Sequence, residues 1–200
     1  MKKHKLFQTA LIAALCLMAA SLAQATPMQW AGNGHWYELV FDEGITWDEA
    51  NQDASSLYGP NAHLATITSS EENEFIFALG VGEYPLWLGG YRDDSAEIDT
   101  DGNPVNDPDE SWHWVTGEAW DYSNWAPGEP WDWEPGENSL AFAFWEGDGT
   151  WNNAKDTVRY TGNGGYVVEY ETAPVPEPAT MLLFGTGLAG LVAGRLRKKK

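Results

Sequence analysis

Thr46-Trp47-Asp48-Glu49-Ala50, then His63-Leu64-Ala65-Thr66-Ile67, then Ser69 to Ile76: the fold turns on this stretch. Thr46 with Glu49 three residues later is a capping box, and Trp47, Ala50, Ala54 and Leu57 recur at helical spacing until Gly59-Pro60 ends the run. His63 to Ile67 reads as a short strand. Ser69 with Glu72 opens a second helix through Phe75, Ile76 and Leu79, which Gly80 stops. Upstream, Trp36-Tyr37-Glu38-Leu39-Val40-Phe41 has strand character. Beyond Gly80 helical periodicity disappears. Short aromatic strands at Leu86–Gly90, Trp112–Val115, Leu140–Trp145 and Tyr166–Glu171 alternate with long loops rich in Gly, Pro, Asp and Asn. Two early helices followed by a loop-rich antiparallel sheet predict an α+β fold.

The two ends of the chain differ from this middle. Residues 1–25 carry Lys2, Lys3 and Lys5, run apolar from Leu11 to Ala20, and finish in Ala23-Gln24-Ala25, a small-x-small pattern. They read as a signal peptide cleaved between Ala25 and Thr26, since an apolar core of about ten residues is too short to span a bilayer. Cys16, the one cysteine, lies inside it; Leu15 before it is not the small residue that lipoprotein processing needs. The mature chain is then exported without disulfides, so packing, with or without metal, must supply its stability.

Charge and aromatic content narrow the function classes. Between residues 26 and 174 Arg92, Lys155 and Arg159 stand against 29 Asp and Glu, a net charge of −26. That surface repels nucleic acid and anionic lipid headgroups and suits divalent cations. All 12 tryptophans fall between Trp30 and Trp151, so residues 26–172 form a globular domain, not an acidic disordered one. His35, His63 and His113 show no metal-ligand spacing and no partner nucleophile; His63, within a strand motif, reads as a core hydrogen-bonding group. Glu129 and Glu137 are a carboxylate pair of the kind glycoside hydrolysis uses, but nothing else favours catalysis, and the domain reads as a binding module, not an enzyme.

The order of landmarks resembles the C-type lectin-like domain. Beyond the opening stretch, the matching pieces are Trp87-Leu88-Gly89-Gly90, Trp112-His113-Trp114-Val115-Thr116-Gly117-Glu118, Tyr122-Ser123-Asn124-Trp125 and Gly128-Glu129-Pro130. Gly136-Glu137-Asn138, Gly149-Thr150-Trp151-Asn152-Asn153 and Gly165-Tyr166-Val167-Val168-Glu169 complete the series. The resemblance spans residues 34–171. It implies a double-ended loop with a lower lobe of two helices and a sheet, an upper lobe of long ligand-binding loops, and Trp87, Trp112, Trp114, Trp125 and Trp151 as packing residues. Ser139 stands where a half-cystine of the family would fall, and Tyr91 to Ser111 is longer and more acidic than the usual connection.

In sugar-binding members one Ca²⁺ shares its shell with two vicinal sugar hydroxyls, and calcium wants six to eight oxygens. The resemblance implies Glu129, Glu137, Asn152 and Asn153 as metal ligands, and Glu129, Trp131, Glu137, Asn152 and Asn153 as sugar-binding candidates. It also implies a cis Glu129–Pro130 bond when calcium is bound. Trp131 replaces an amide and Asn153 a carboxylate, so the site is weakened, with Asp132 and Glu134 as substitutes; the competing reading is a solvated acidic loop without metal. Trp131 and Trp133 are either sugar-stacking platforms or inward loop anchors, with at least one expected buried. Asp99, Asp101, Asn103, Asp107 and Asp109 begin like an EF-hand loop, but Pro104 occupies the turn position and no glutamate closes it, so a solvated loop competes with a second calcium loop.

After the linker Ala173 to Pro178, residues 179–194 are uncharged and mostly apolar, and Arg195, Arg197, Lys198, Lys199 and Lys200 follow. Sixteen helical residues rise about 24 Å, short of a ~30 Å hydrocarbon core. A plain tail anchor is one reading. Pro176-Glu177-Pro178, the short apolar helix and the basic end together resemble the PEP-CTERM sorting signal of residues 173–200. That resemblance implies a Gram-negative host, a transient membrane anchor with its basic end cytoplasmic, cleavage by an exosortase, and release to the cell surface or an exopolysaccharide matrix. The expected function is a Ca²⁺-assisted carbohydrate-binding module there; the alternative is a non-sugar interaction or structural module of the same matrix.

Overall fold

The computed structural model describes residues 26–92, 112–131, 136–143, 145–162 and 164–174. Ala25, the Asp99–Asp109 cluster, Asp132, Trp133, Glu134, Pro176-Glu177-Pro178 and the apolar tail lie outside them. The elements run β1 (Met28–Gln29), β2 (Trp36–Phe41), α1 (Trp47–Leu57), β3 (Ala62–Leu64), α2 (Ser70–Ala78), β4 (Leu86–Arg92), β5 (Trp112–Trp114), β6 (Ser139–Phe142), β7 (Trp151–Ala154) and β8 (Gly165–Tyr170). Among the described residues, no helix is long and apolar enough to cross a membrane.

Both helices start where local chemistry places them. Thr46 caps α1: its side chain accepts from the Glu49 N–H, and the Glu49 carboxylate accepts from the Thr46 N–H at 3.0 Å. Trp47, Ala50 and Ala54 form the buried stripe of this helix. Ser69 caps α2 by accepting from the Glu72 N–H. The Glu72 side chain does not return to its own cap. It turns inward, accepts from the Thr68 N–H at 2.8 Å and is buried.

The sheet order is β1-β2-β8-β4-β6-β7, with β3 added to β8 and β5 to β4. β2 and β8 pair antiparallel from Trp36 opposite Tyr170 to Phe41 opposite Gly165, which brings the two ends of the domain together. The expected antiparallel sheet is present with one parallel pair in it: β4 runs parallel to β8, with Leu86 opposite Gly165. A parallel pair needs a long connection, and β4 and β8 lie far enough apart in the chain, Arg92 to Gly165, to have one. β7 is a further addition. Its sequence Trp-Asn-Asn-Ala has little intrinsic strand preference, but pairing with β6 from Ser139–Ala154 to Phe142–Trp151 holds it extended.

Tryptophan knits the lobes together. The Trp47 indole donates to the Leu88 carbonyl at 2.8 Å and the Trp87 indole to the Ile45 carbonyl at 3.0 Å, a reciprocal clamp between the start of α1 and β4. Trp87, Trp112, Trp114 and Trp151 are buried. Trp112, Trp114, Trp120, Trp125 and Trp151 form one cluster, with Trp114 and Trp120 stacked at 4.4 Å. Gly89 lets the sheet close on its neighbour, because a Cβ there would meet the Leu64 carbonyl oxygen at 2.6 Å.

Candidate functional site

β7 positions the site's two amides. Asn152 and Asn153 are successive residues on a strand buried along its whole length, so they reach different neighbours. The Asn152 Nδ2 donates to the Asn153 carbonyl at 3.0 Å, and the Asn152 side chain also bonds the Tyr160 hydroxyl. Those two contacts orient the amide, and Asn152 Oδ1 is buried with no hydrogen-bond partner among the described residues. An unpartnered buried oxygen is costly unless something supplies a donor or a positive charge.

Asn153 faces the loop. Its Oδ1 accepts from the Trp131 N–H at 2.9 Å, and its Nδ2 donates to the Glu137 carbonyl at 3.1 Å. The Trp131 N–H is shared with Glu129 Oε2, also at 2.9 Å. Glu129, Trp131, Glu137 and Asn153 are thereby brought together through one bridging amide, with Asn152 adjacent on the strand. The Glu129–Pro130 bond is cis. Trp131 is 54% exposed, so this indole does not serve as an inward anchor.

Two residues join the site that the sequence did not single out for it. Burial pushes the Tyr160 hydroxyl up to about 12; the Asn152 hydrogen bond opposes the rise, and the nearby Glu137 and Glu129 charges add to it. Arg92, at the end of β4, is 5% exposed and lies 5.6 Å over the Trp112 ring. Its Nε donates to Asn138 Oδ1 at 3.1 Å, and its Nη2 reaches the Glu137 carbonyl at 3.4 Å. Arg92 could have been suspected as one of three cations in a segment of 29 acids.

The donor chemistry fits calcium in reduced form. Asn152 Oδ1 is a buried oxygen that a cation would satisfy, and the Glu137 and Glu129 charges act on Tyr160, its side chain's partner, while Trp131 contributes no side-chain oxygen. Among the described residues, no group of three or more His, Cys, Asp or Glu side chains is placed to hold a metal ion.

A second polar cluster joins β2, β8 and the first turn of α2. Glu169 Oε1 contacts His35 Nδ1 at 2.7 Å and the Tyr37 hydroxyl at 2.9 Å, and Glu169 Oε2 accepts from the Thr66 N–H at 2.8 Å. The Tyr37 hydroxyl also bonds Glu72 Oε1, and Asn33 donates to both groups. His63 Nδ1 contacts the Leu64 carbonyl at 2.9 Å and stands 3.9 Å from Glu169 Oε2, as its expected core role requires. Burial raises the Glu169 carboxyl above the ordinary carboxylate range, against the opposing pull of His63, the Thr66 N–H, His35 and Tyr37. His113 is exposed on β5 beside the Tyr91 ring.

This fold is shared with C-type lectins of known structure. Human lithostathine superposes with a TM-score of 0.55 at 16% identity, covering 72% of this chain and 95% of that one. The mouse scavenger receptor C-type lectin carbohydrate-recognition domain gives 0.54 at 22% identity, covering 74% and 96%. In sequence, asialoglycoprotein receptor 2 of Rattus norvegicus is 30% identical over 148 residues, 69% of this chain and 42% of the receptor. A lectin of Pleurodeles waltl is 32% identical over 113 residues, 53% of each protein. The chain spans 42% and 38% of the length of the rat and mouse receptors it matches. The PEP-CTERM protein-sorting motif matches residues 174–198. The chain therefore has the C-type lectin fold, and its C-terminal residues 174–198 match the PEP-CTERM protein-sorting motif.

Proposed function

We propose that this is an exported carbohydrate-binding module acting at the cell surface or in the extracellular polysaccharide, with residues 1–25 removed on export and an exosortase processing the anchored tail. One observation carries the binding site: the exposed Trp131 shares its N–H between Glu129 and Asn153, and Asn153 in turn bonds the Glu137 carbonyl, with Asn152 preceding it on β7. The indole offers a flat apolar face for a sugar ring, and the carboxylates and amides offer acceptors and donors for its hydroxyls. Glu129, Glu137, Asn152 and Asn153 would hold Ca²⁺, which when bound supplies a cation that takes sugar hydroxyls as further ligands. The PEP-CTERM motif supports export.

Glycan-array binding of the purified protein, with and without a chelator, tests this reading. Binding to a defined set of glycans that Trp131→Ala weakens is the expected result. No binding to any glycan, alongside retention by the native matrix with carbohydrate removed, would replace it with a protein-interaction role at the same face.

A further inference from the structure

We propose that Asn153, with Arg92, holds the two ends of the binding loop together without a metal ion, so that the site's shape does not depend on calcium. This rests on reading the Glu129–Glu137 face as the binding site. Asn153 bridges a donor and an acceptor: its oxygen takes the Trp131 N–H at 2.9 Å and its nitrogen gives a hydrogen bond to the Glu137 carbonyl at 3.1 Å. These contacts also settle the orientation of the amide, since the Trp131 nitrogen can only donate and the Glu137 oxygen can only accept. A carboxylate at 153 could still accept from Trp131. It would, however, set an acceptor oxygen against the Glu137 carbonyl, and two facing acceptors need a cation between them. An asparagine carries that bridging hydrogen itself.

Arg92 acts on the same carbonyl from the other side. It is nearly buried, its backbone N–H donates to the Asn138 carbonyl at 3.0 Å, and its guanidinium reaches Asn138 Oδ1 and the Glu137 carbonyl. The Glu137 carbonyl thus receives donors from β4 and β7, the strands on either side of β6. Asn153 and Arg92 are positioning residues: they set where Trp131 and Glu137 stand.

Hydrogen exchange of peptides spanning residues 129–138, measured on the full chain, tests the bridge separately from sugar binding. In chelator the parent should keep the Trp131 amide protected, while Asn153→Asp, which loses the bond to the Glu137 carbonyl and with it the fixed place of its oxygen against Trp131, should exchange that amide about tenfold faster, the scale of one lost hydrogen bond. Added calcium should return the Asn153→Asp protein toward the parental rate, a rescue that a general loss of packing would not show. Two results would overturn the proposal: parental exchange in chelator at the rate of an unprotected peptide, or equal rates in parent and variant. The first needs no variant, so it decides the matter even if Asn153→Asp does not fold. Protection retained with glycan binding absent would remove the sugar reading and leave the bridge standing. Glycan binding retained with protection lost would do the reverse.

Discussion

The Tyr37 hydroxyl stands 2.9 Å from Glu169 Oε1 while it also bonds Glu72 Oε1. A hydroxyl carries one proton, so it cannot donate to both carboxylates at once. A proton on one carboxyl resolves the conflict, and Glu169, whose burial favours its neutral form, is the group disposed to hold it.

The pH dependence follows from that direction. A carboxyl whose folded pKa is raised contributes stability below its unfolded pKa and loses it as pH rises through the folded value. Glu169 therefore destabilises the domain as pH climbs above the ordinary carboxylate range, the reverse of a salt-bridged acid. Glu169→Gln supplies the missing donor permanently. The melting midpoint of the parent minus that of Glu169→Gln, followed by calorimetry upward from about pH 4.3, should decline with pH. A difference that rises with pH would mean that His35 and His63 prevail over burial.

Removing the α1 cap has a simple expected cost. Thr46→Ala leaves the Glu49 N–H without its acceptor and should lower stability by about 1 kcal/mol, or about 2–4 °C in midpoint for a domain of this size. Glu49 is held at about 2 by Arg159 first and then by its bonds to Thr46, so part of its response to acid should also move in this variant.

Trp87 carries both packing and a buried hydrogen bond to the Ile45 carbonyl. Trp87→Ala should cost roughly 3–5 kcal/mol, measured by denaturant unfolding. Trp131→Ala, on an exposed indole, should leave the unfolding midpoint nearly unchanged while weakening glycan binding by roughly threefold to tenfold, the scale of an aromatic stacking contact.

Calcium should stabilise the domain specifically. At a hundredfold over its Kd a ligand of the folded state alone adds about 2.7 kcal/mol. Magnesium at matched concentration should add less, because it dehydrates reluctantly and demands near-octahedral geometry. Glu137→Gln and Asn152→Ala should each abolish the calcium-specific increment in thermal scans. Equal shifts from both ions in the parent would indicate charge screening of the acidic surface and no selective site.

Local rules were enough for much of this. The caps at Thr46 and Ser69, the stops at Gly59-Pro60 and Gly80 and the PEP-CTERM tail were legible because each depends on residues a few positions apart, while the tryptophan core was implied by the resemblance. The eight-residue interval from Glu129 to Glu137 matched that resemblance and marked the proposed binding loop. What the sequence could not decide is who faces whom across the fold. Glu72 reads locally as a cap partner and Glu169 as one residue of a strand, yet Tyr37 joins them in a buried cluster. Asn153 reads as a weakened calcium ligand, and only the pairing of β7 with β6 shows its amide bridging Trp131 to Glu137. The parallel pairing of β4 with β8 belongs with these. Each arises from register and burial set by strands distant in the chain, and long-range contacts of that kind leave no local pattern to read.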